Sequence, residues 1–349
     1  MVKTMTKLIH VILIFSLAYV VRSDRTLNTF KILHASGPEA IAFDLTGQGP
    51  YTGVSDGRVL KYEGPGIGFV EFAHASPLRT KEKCDGTDDP NLGPICGRPF
   101  GVGFNYRTGE LYIADAFFGL CKVGPDGGLA EQLATSAEGG PFKWLDGLDV
   151  DSTTEMVYFT DISTKYTFRE LPQALSSGDS TGRLMSYNPK TKEVQVLLSG
   201  LQIPGGTGVS RDGSFVLVSE YTGHRILKYW LKGPKANTAE AILSIHRPDN
   251  IKRTLLGDFW IGANIIMQQP APNTIPQGVR INESGKVLET INLDGIFRNE
   301  TIAEVQEFAG SYYVVSIRRN SVGICKCFVE ENGRKLLGIR YDWIKENCS

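Results

Sequence analysis

The six cysteines are the residues of this chain most ready to do chemistry, and their spacing favours cross-links over metal binding. Cys84 and Cys96 flank a loop rich in Gly, Asp and Pro, and a disulfide between them would clip that loop in an oxidising compartment. Cys325 and Cys327 would share one face of a strand, but an extended backbone holds such neighbours too far apart to bond each other easily. Cys348 is a candidate partner for one of them, and the pairing of Cys121, Cys325, Cys327 and Cys348 stays open. His34, His74, His224 and His246 lack the HxxH and HxxxH spacings of a zinc site. No GxSxG elbow and no glycine-rich phosphate loop occurs. Asn282-Glu283-Ser284 and Asn299-Glu300-Thr301 are glycosylation sequons, meaningful only on a secretory route.

The elements that must position any site are short strands. Six apolar runs stand out: Tyr51-Thr52-Gly53-Val54, Leu111-Tyr112-Ile113-Ala114, Val157-Tyr158-Phe159-Thr160, Phe215-Val216-Leu217-Val218, Phe259-Trp260-Ile261-Gly262 and Tyr312-Tyr313-Val314-Val315. They recur roughly every 44 to 60 residues, a spacing that suits one four-stranded blade each. An all-β, six-bladed propeller follows, with a central channel lined by the innermost strands. Ser55-Asp56-Gly57, Pro125-Asp126-Gly127-Gly128, Arg211-Asp212-Gly213 and Glu331-Asn332-Gly333 read as its turns, while Arg58 to Tyr62 and Arg225 to Trp230 read as half-buried strands. Insertions are expected at Thr80 to Pro99, Lys165 to Ser180 and Gln268 to Pro276. A short helix, Arg169 to Leu175, lies in the second, limited by Pro172.

Lys3 and Lys7 precede an apolar stretch, Leu8 to Val21, and Val21-Arg22-Ser23 offers a small residue for cleavage. This is the anatomy of a secretory signal peptide. The stretch is shorter than the ~20 residues of a spanning helix, so residues 1–23 are expected to be removed rather than kept as an anchor. Residues 24–349 read as a single propeller domain, secreted or vacuolar, and not membrane-bound after cleavage. A formal net charge of −1 leaves no electrostatic footprint for nucleic acid.

Several segments identify the family this chain resembles. Tyr51-Thr52-Gly53-Val54-Ser55-Asp56-Gly57-Arg58-Val59, Gly140-Pro141-Phe142-Lys143-Trp144-Leu145, Ile203-Pro204-Gly205-Gly206, Lys228-Tyr229-Trp230-Leu231-Lys232-Gly233-Pro234-Lys235 and Asp249-Asn250-Ile251-Lys252-Arg253 resemble strictosidine synthase, in that family's order. The resemblance implies a six-bladed propeller with a small-molecule pocket at its axis. It also implies plant specialised, alkaloid-type metabolism and a Pictet–Spengler condensation of an amine with an aldehyde. That chemistry requires no cofactor, only a carboxylate that handles protons.

At the family's catalytic Glu this sequence carries Ala303, and Thr301 stands where a nearby His is expected. Glu304 is one residue away, but adjacent strand residues face opposite ways, so a register slip would be needed to turn it inward. Glu304 and Asp146 are therefore the candidate acid/base groups. Phe100, Trp144, Tyr221 and Thr301 are the expected pocket residues, with Asp146 where the synthase has Tyr and Tyr221 where it has Phe.

A more distant resemblance, to the paraoxonase and gluconolactonase propellers, implies a Ca²⁺-assisted esterase or lactonase. Glu39, Asp146 and Asp249 match its metal-bearing segments, while Gly205 stands where a fourth ligand, an Asn, is expected. Without metal, the same carboxylates would line the channel and repel one another, raising one pKa toward neutrality. In the plainest reading Asp146 and Asp249 cap turns, and the propeller binds a ligand without catalysis.

Overall fold

The computed structural model describes residues 25–268, 273–331 and 334–337. Six blades of four antiparallel strands follow one another along the chain, the first taking on Gly128–Leu129 as a parallel fifth strand. Blade 1 consists of Ile41–Ala42, Tyr51–Gly53, Arg58–Tyr62 and Phe69–His74. Blade 2 is Pro99–Phe104, Leu111–Asp115, Gly119–Val123 and Glu131–Ala134. Blade 3 is Leu145–Val150, Val157–Asp161, Gly182–Asn188 and Glu193–Leu201. Blade 4 is Pro204–Val209, Phe215–Glu220, Arg225–Trp230 and Ala239–Ser244. Blade 5 is Pro248–Arg253, Phe259–Met267, Asn273–Ile281 and Val287–Asn292.

Blade 6 closes the ring. Its first three strands, Glu304–Phe308, Ser311–Val315 and Ser321–Glu331, come from the far end of the described chain. Its outermost strand is Arg25–Lys31, paired antiparallel with Ser321–Glu331 so that Lys31 faces Ser321. The first described strand and one of the last are thereby held in one sheet, which removes two open sheet edges.

Each of the six apolar runs falls on the second strand of a blade. These strands are largely buried, because both of their faces are covered. In blade 2, Leu111 and Ile113 pack toward blade 1, and Tyr112 and Ala114 toward blade 3. In blade 4, Val216 and Val218 face blade 3, while Phe215 and Leu217 face blade 5. One apolar cluster fills each of the six interfaces, including those of blades 5 with 6 and 6 with 1. A seventh, around Phe100, Trp144, Ile162 and Ile203, caps one mouth of the channel.

The insertions take definite form. Thr80 to Pro99 joins blades 1 and 2 through helical turns Lys81–Cys84, Pro90–Leu92 and Gly93–Cys96, and a Cys84–Cys96 disulfide closes it. In blade 3 the helix runs Leu171–Ser176. Pro172 starts that helix rather than limiting it, because a first-turn residue has no intrahelical use for its N–H. Asn273 to Pro276 is not loop: it pairs with Asn264 to Met267 and lengthens the blade 5 hairpin. The expected leader, the expected turn at 332–333 and Cys348 lie outside the described residues, as does the side chain of Cys327. Among the described residues no helix is long and apolar enough to cross a membrane.

Candidate functional site

The innermost strands of blades 2 to 5 all break register near their starts: between Pro99 and Gly101, Leu145 and Leu148, Pro204 and Thr207, and Pro248 and Ile251. Such bulges re-aim side chains at a sheet edge. Phe100, Asp146, Gly205, Asp249 and Asn250 sit in them, one blade after another. Asp146 and Asp249 are thus bulge residues of inner strands, and the turn-capping reading does not hold for them. Close packing of the inner strands sets their spacing. A Cβ on Gly147 would lie 2.5 Å from the Gly205 carbonyl oxygen, and one on Gly206 would lie 2.4 Å from the Asn250 Cα.

The bulges bring Asp146 and Asp249 to Glu39, which precedes the inner strand of blade 1. One carboxylate oxygen from each of the three lies within 4.8 Å of the others. Asn250 Nδ2 donates to both Glu39 oxygens, at 2.9 and 3.0 Å. Burial pushes all three carboxyls well above their ordinary range, and repulsion among them, with Glu304 adding, pushes them further. Asp146 Oδ1 and Asn250 Oδ1 are buried without any hydrogen-bond partner among the described residues. Three carboxylates and an amide oxygen are a donor set that fits a hard cation such as Ca²⁺. Gly205 brings no side chain to it.

Glu304 is buried in the channel next to this cluster. It accepts the Ile41 N–H at 2.8 Å and pairs with Lys252 at 3.4 Å. Lys252 reaches across from blade 5 to the Val102 carbonyl of blade 2, at 3.2 Å. Burial raises the Glu304 carboxyl to about 7, against the pull of Lys252. No register slip is involved, since Glu304 pairs directly with Val315. Ala303 lines the pocket, while Glu304 does not and stays tied to Lys252.

The pocket over the three carboxylates encloses about 210 Å³. Phe100, Trp144, Tyr221 and Thr301 all line it, together with Phe168 and Arg247. Phe168 makes edge contacts with Phe100 and Trp144, at ring-centroid distances of 4.9 and 5.3 Å. Trp144 belongs both to the apolar cap and to the pocket wall, and its indole N–H is buried without an acceptor among the described residues. Aromatic walls over an acidic floor suit an organic cation with an aromatic body.

Comparisons with known proteins place the chain in a family. The family profile described as strictosidine synthase matches residues 146–234. Strictosidine synthase of Catharanthus roseus is 43% identical over 290 residues, 82% of each chain. Strictosidine synthase-like protein 12 of Arabidopsis thaliana is 45% identical over 325 residues, 91% of this chain and 96% of its own. This chain belongs to the strictosidine synthase family. Among solved structures, a gluconolactonase from Xanthomonas campestris superposes with a TM-score of 0.62 at 14% identity, covering 87% of this chain and 90% of its own. A luciferin-regenerating enzyme superposes with a TM-score of 0.53 at 12% identity, covering 91% of this chain and 99% of its own. At such identities the likeness is one of fold alone.

Ala303, which lines the pocket, puts a methyl group at the position where the resemblance implies the catalytic Glu. Sequence reasoning missed Arg98 and Lys252. Arg98 follows Cys96 by two residues in a segment read as a loop, and Lys252 sits in a largely polar run, Asp249-Asn250-Ile251-Lys252-Arg253, like any half-exposed strand residue. Neither pattern signals a channel. Asn299 is exposed with a side chain that accepts the Thr274 N–H, and Asn282 sits half-buried in a turn of blade 5.

Proposed function

We propose that this protein is a small-molecule enzyme of amine chemistry, taking an arylethylamine into the axial pocket with its ammonium over Glu39, Asp146 and Asp249. The observation that carries the reading is the trio of carboxylates within 4.8 Å of one another beneath aromatic walls. In a Pictet–Spengler-type condensation the amine adds to an aldehyde carbon and water leaves, giving an iminium. A ring carbon then attacks the iminium carbon, and the proton on that ring carbon must be removed. Asp146, with its unpartnered Oδ1, takes that proton in place of the missing Glu at 303. No cofactor is needed. Strictosidine itself is not the expected product, because the methyl group of Ala303 cannot serve as the family base. The leader-like residues 1–23, the Cys84–Cys96 disulfide and the sequons at Asn282 and Asn299 support a route through the secretory pathway to the vacuole or exterior, with residues 24–349 as the mature domain.

The two unpartnered oxygens, on Asp146 and Asn250, favour a second reading. Glu39, Asp146, Asp249 and Asn250 would hold Ca²⁺, which when bound would polarise an ester or lactone carbonyl. Incubation of tryptamine with secologanin and with simpler aldehydes, read by mass spectrometry in EDTA and in calcium, separates the readings. The expected result is an EDTA-resistant condensation product with at least one aldehyde, lost in Asp146→Asn, and strictosidine only from Ala303→Glu. Absence of every condensation product together with calcium-dependent ester hydrolysis would overturn the amine reading. Binding of tryptamine with neither activity would make the protein a non-catalytic binding propeller.

A further inference from the structure

A second cavity, of about 400 Å³, adjoins the pocket and shares Phe168, Ile317 and Arg318 with it. Its far wall is the disulfide-clipped connection of blades 1 and 2, through Asp88, Asp89 and Pro90. Arg98 lines this cavity although only 3% of its surface is exposed. Among the described residues its guanidinium makes no ion pair and no hydrogen bond, and Nη1 is buried without a partner. Two rings hold it instead: Cζ lies 4.5 Å from the Phe100 centroid and 5.9 Å from that of Phe168.

Two of the carboxylates around Arg98 are engaged elsewhere. Asp115 accepts the backbone N–H groups of Arg98, Phe117 and Phe118. Asp56 is taken by Arg58 and the Gly86 N–H. Glu39 and Asp146 attract the guanidinium only through space. Burial lowers its pKa to about 10, so it stays charged at neutral pH. Buried cations are ordinarily paired, and a guanidinium presents a donor fork that matches a carboxylate.

We propose that Arg98, with the exposed Arg318 beside it, is a carboxylate-binding subsite. The ligand of this protein then carries an anionic group in addition to its amine, as an aromatic amino acid does. The two cavities form one bipartite site: the ring lies against Phe168, the amine over Glu39 and Asp146, and the carboxylate at Arg98. This rests on the amine reading above. The exposed Asp88 and Asp89 on the outer wall disfavour a polyanion such as a phosphate ester.

Calorimetric titration of three probes tests it: tryptamine (amine only), indole-3-propionate (carboxylate only) and tryptophan (both). Tryptophan is expected to bind the unmodified protein more tightly than either fragment. Arg98→Met should weaken indole-3-propionate about tenfold or more, the effect of a lost charge-assisted hydrogen bond, yet bind tryptamine equally or better, since a cation near the acidic floor is gone. These opposite signs are not what a misfolded pocket gives. Arg318→Gln, at an exposed position that cannot collapse the core, should weaken indole-3-propionate about twofold to fivefold. Tryptamine binding without indole-3-propionate binding, or indole-3-propionate affinity unmoved by both substitutions, overturns the subsite and leaves the amine reading standing. Binding of none of the three probes overturns both.

Discussion

Asp146→Asn should make the protein more stable above neutral pH while removing its proposed base. Two unit charges 4.8 Å apart repel by about 3.5 kcal/mol at an effective dielectric of ~20. Full ionisation of Glu39, Asp146 and Asp249 would thus cost about 10 kcal/mol over three pairs, so the cluster holds at least one proton at neutral pH. Keeping a carboxyl protonated costs about 1.4 kcal/mol for each pH unit above its ordinary pKa. An amide at 146 removes two of the three repulsions and offers Nδ2 as a donor to the remaining carboxylates. After allowance for water and relaxation, the expected gain is about 2–3 kcal/mol at pH 8. The sign follows from linkage. The folded-state pKa of Asp146 is raised above its unfolded value, so this carboxyl destabilises the fold progressively as pH rises past the ordinary carboxylate range. The gain should therefore shrink as pH falls, to roughly a third of its pH 8 value at pH 5, and vanish only near pH 4. Urea denaturation in EDTA, followed by tryptophan fluorescence at pH 5 to 8, measures it. A variant no more stable than the unmodified protein at pH 8, or a gain independent of pH, would refute the electrostatic account of the cluster.

Other consequences can be checked in the same assays. Lys252→Met strands Glu304 without its cation and should cost about 3 kcal/mol at pH 8. A second change, Glu304→Gln, should recover most of that loss in a double-mutant cycle. Replacing Cys84 and Cys96 with Ser opens a 12-residue separation and should lower stability by about 3 kcal/mol, with dithiothreitol lowering the unmodified protein to match. Phe168→Ala should weaken tryptamine binding roughly fivefold by calorimetry, in line with the worth of one aromatic contact.

The ring was legible in the sequence because a propeller repeats one physical demand. Each second strand is covered on both faces, so six short runs with aromatic or β-branched cores mark six blades, and Arg58 to Tyr62 and Arg225 to Trp230 end where the strands end. The site was legible only in part. Glu39, Asp146 and Asp249 could be named from segment resemblance, yet they are 103 or more positions apart in the chain, and only the stacked bulges bring them together. Strict alternation turned Glu304 away from the channel. In the structure it reaches Ile41 and Lys252 within the channel, since an innermost strand has a free edge where alternation no longer decides what a long side chain meets. Arg98 could not be read at all, because one of its two ring partners, Phe168, comes from a distant insertion and the cavity it lines is encoded by no local pattern.

The most direct test of the account is calorimetric titration of tryptamine, in EDTA, into the unmodified protein and into Asp146→Asn. The account predicts metal-free binding to the unmodified protein and at least a tenfold loss in the variant, given the charge-assisted contact removed. Equal affinity for both proteins, or binding only when calcium replaces EDTA, would contradict the claim that the axial carboxylates exist to meet an amine.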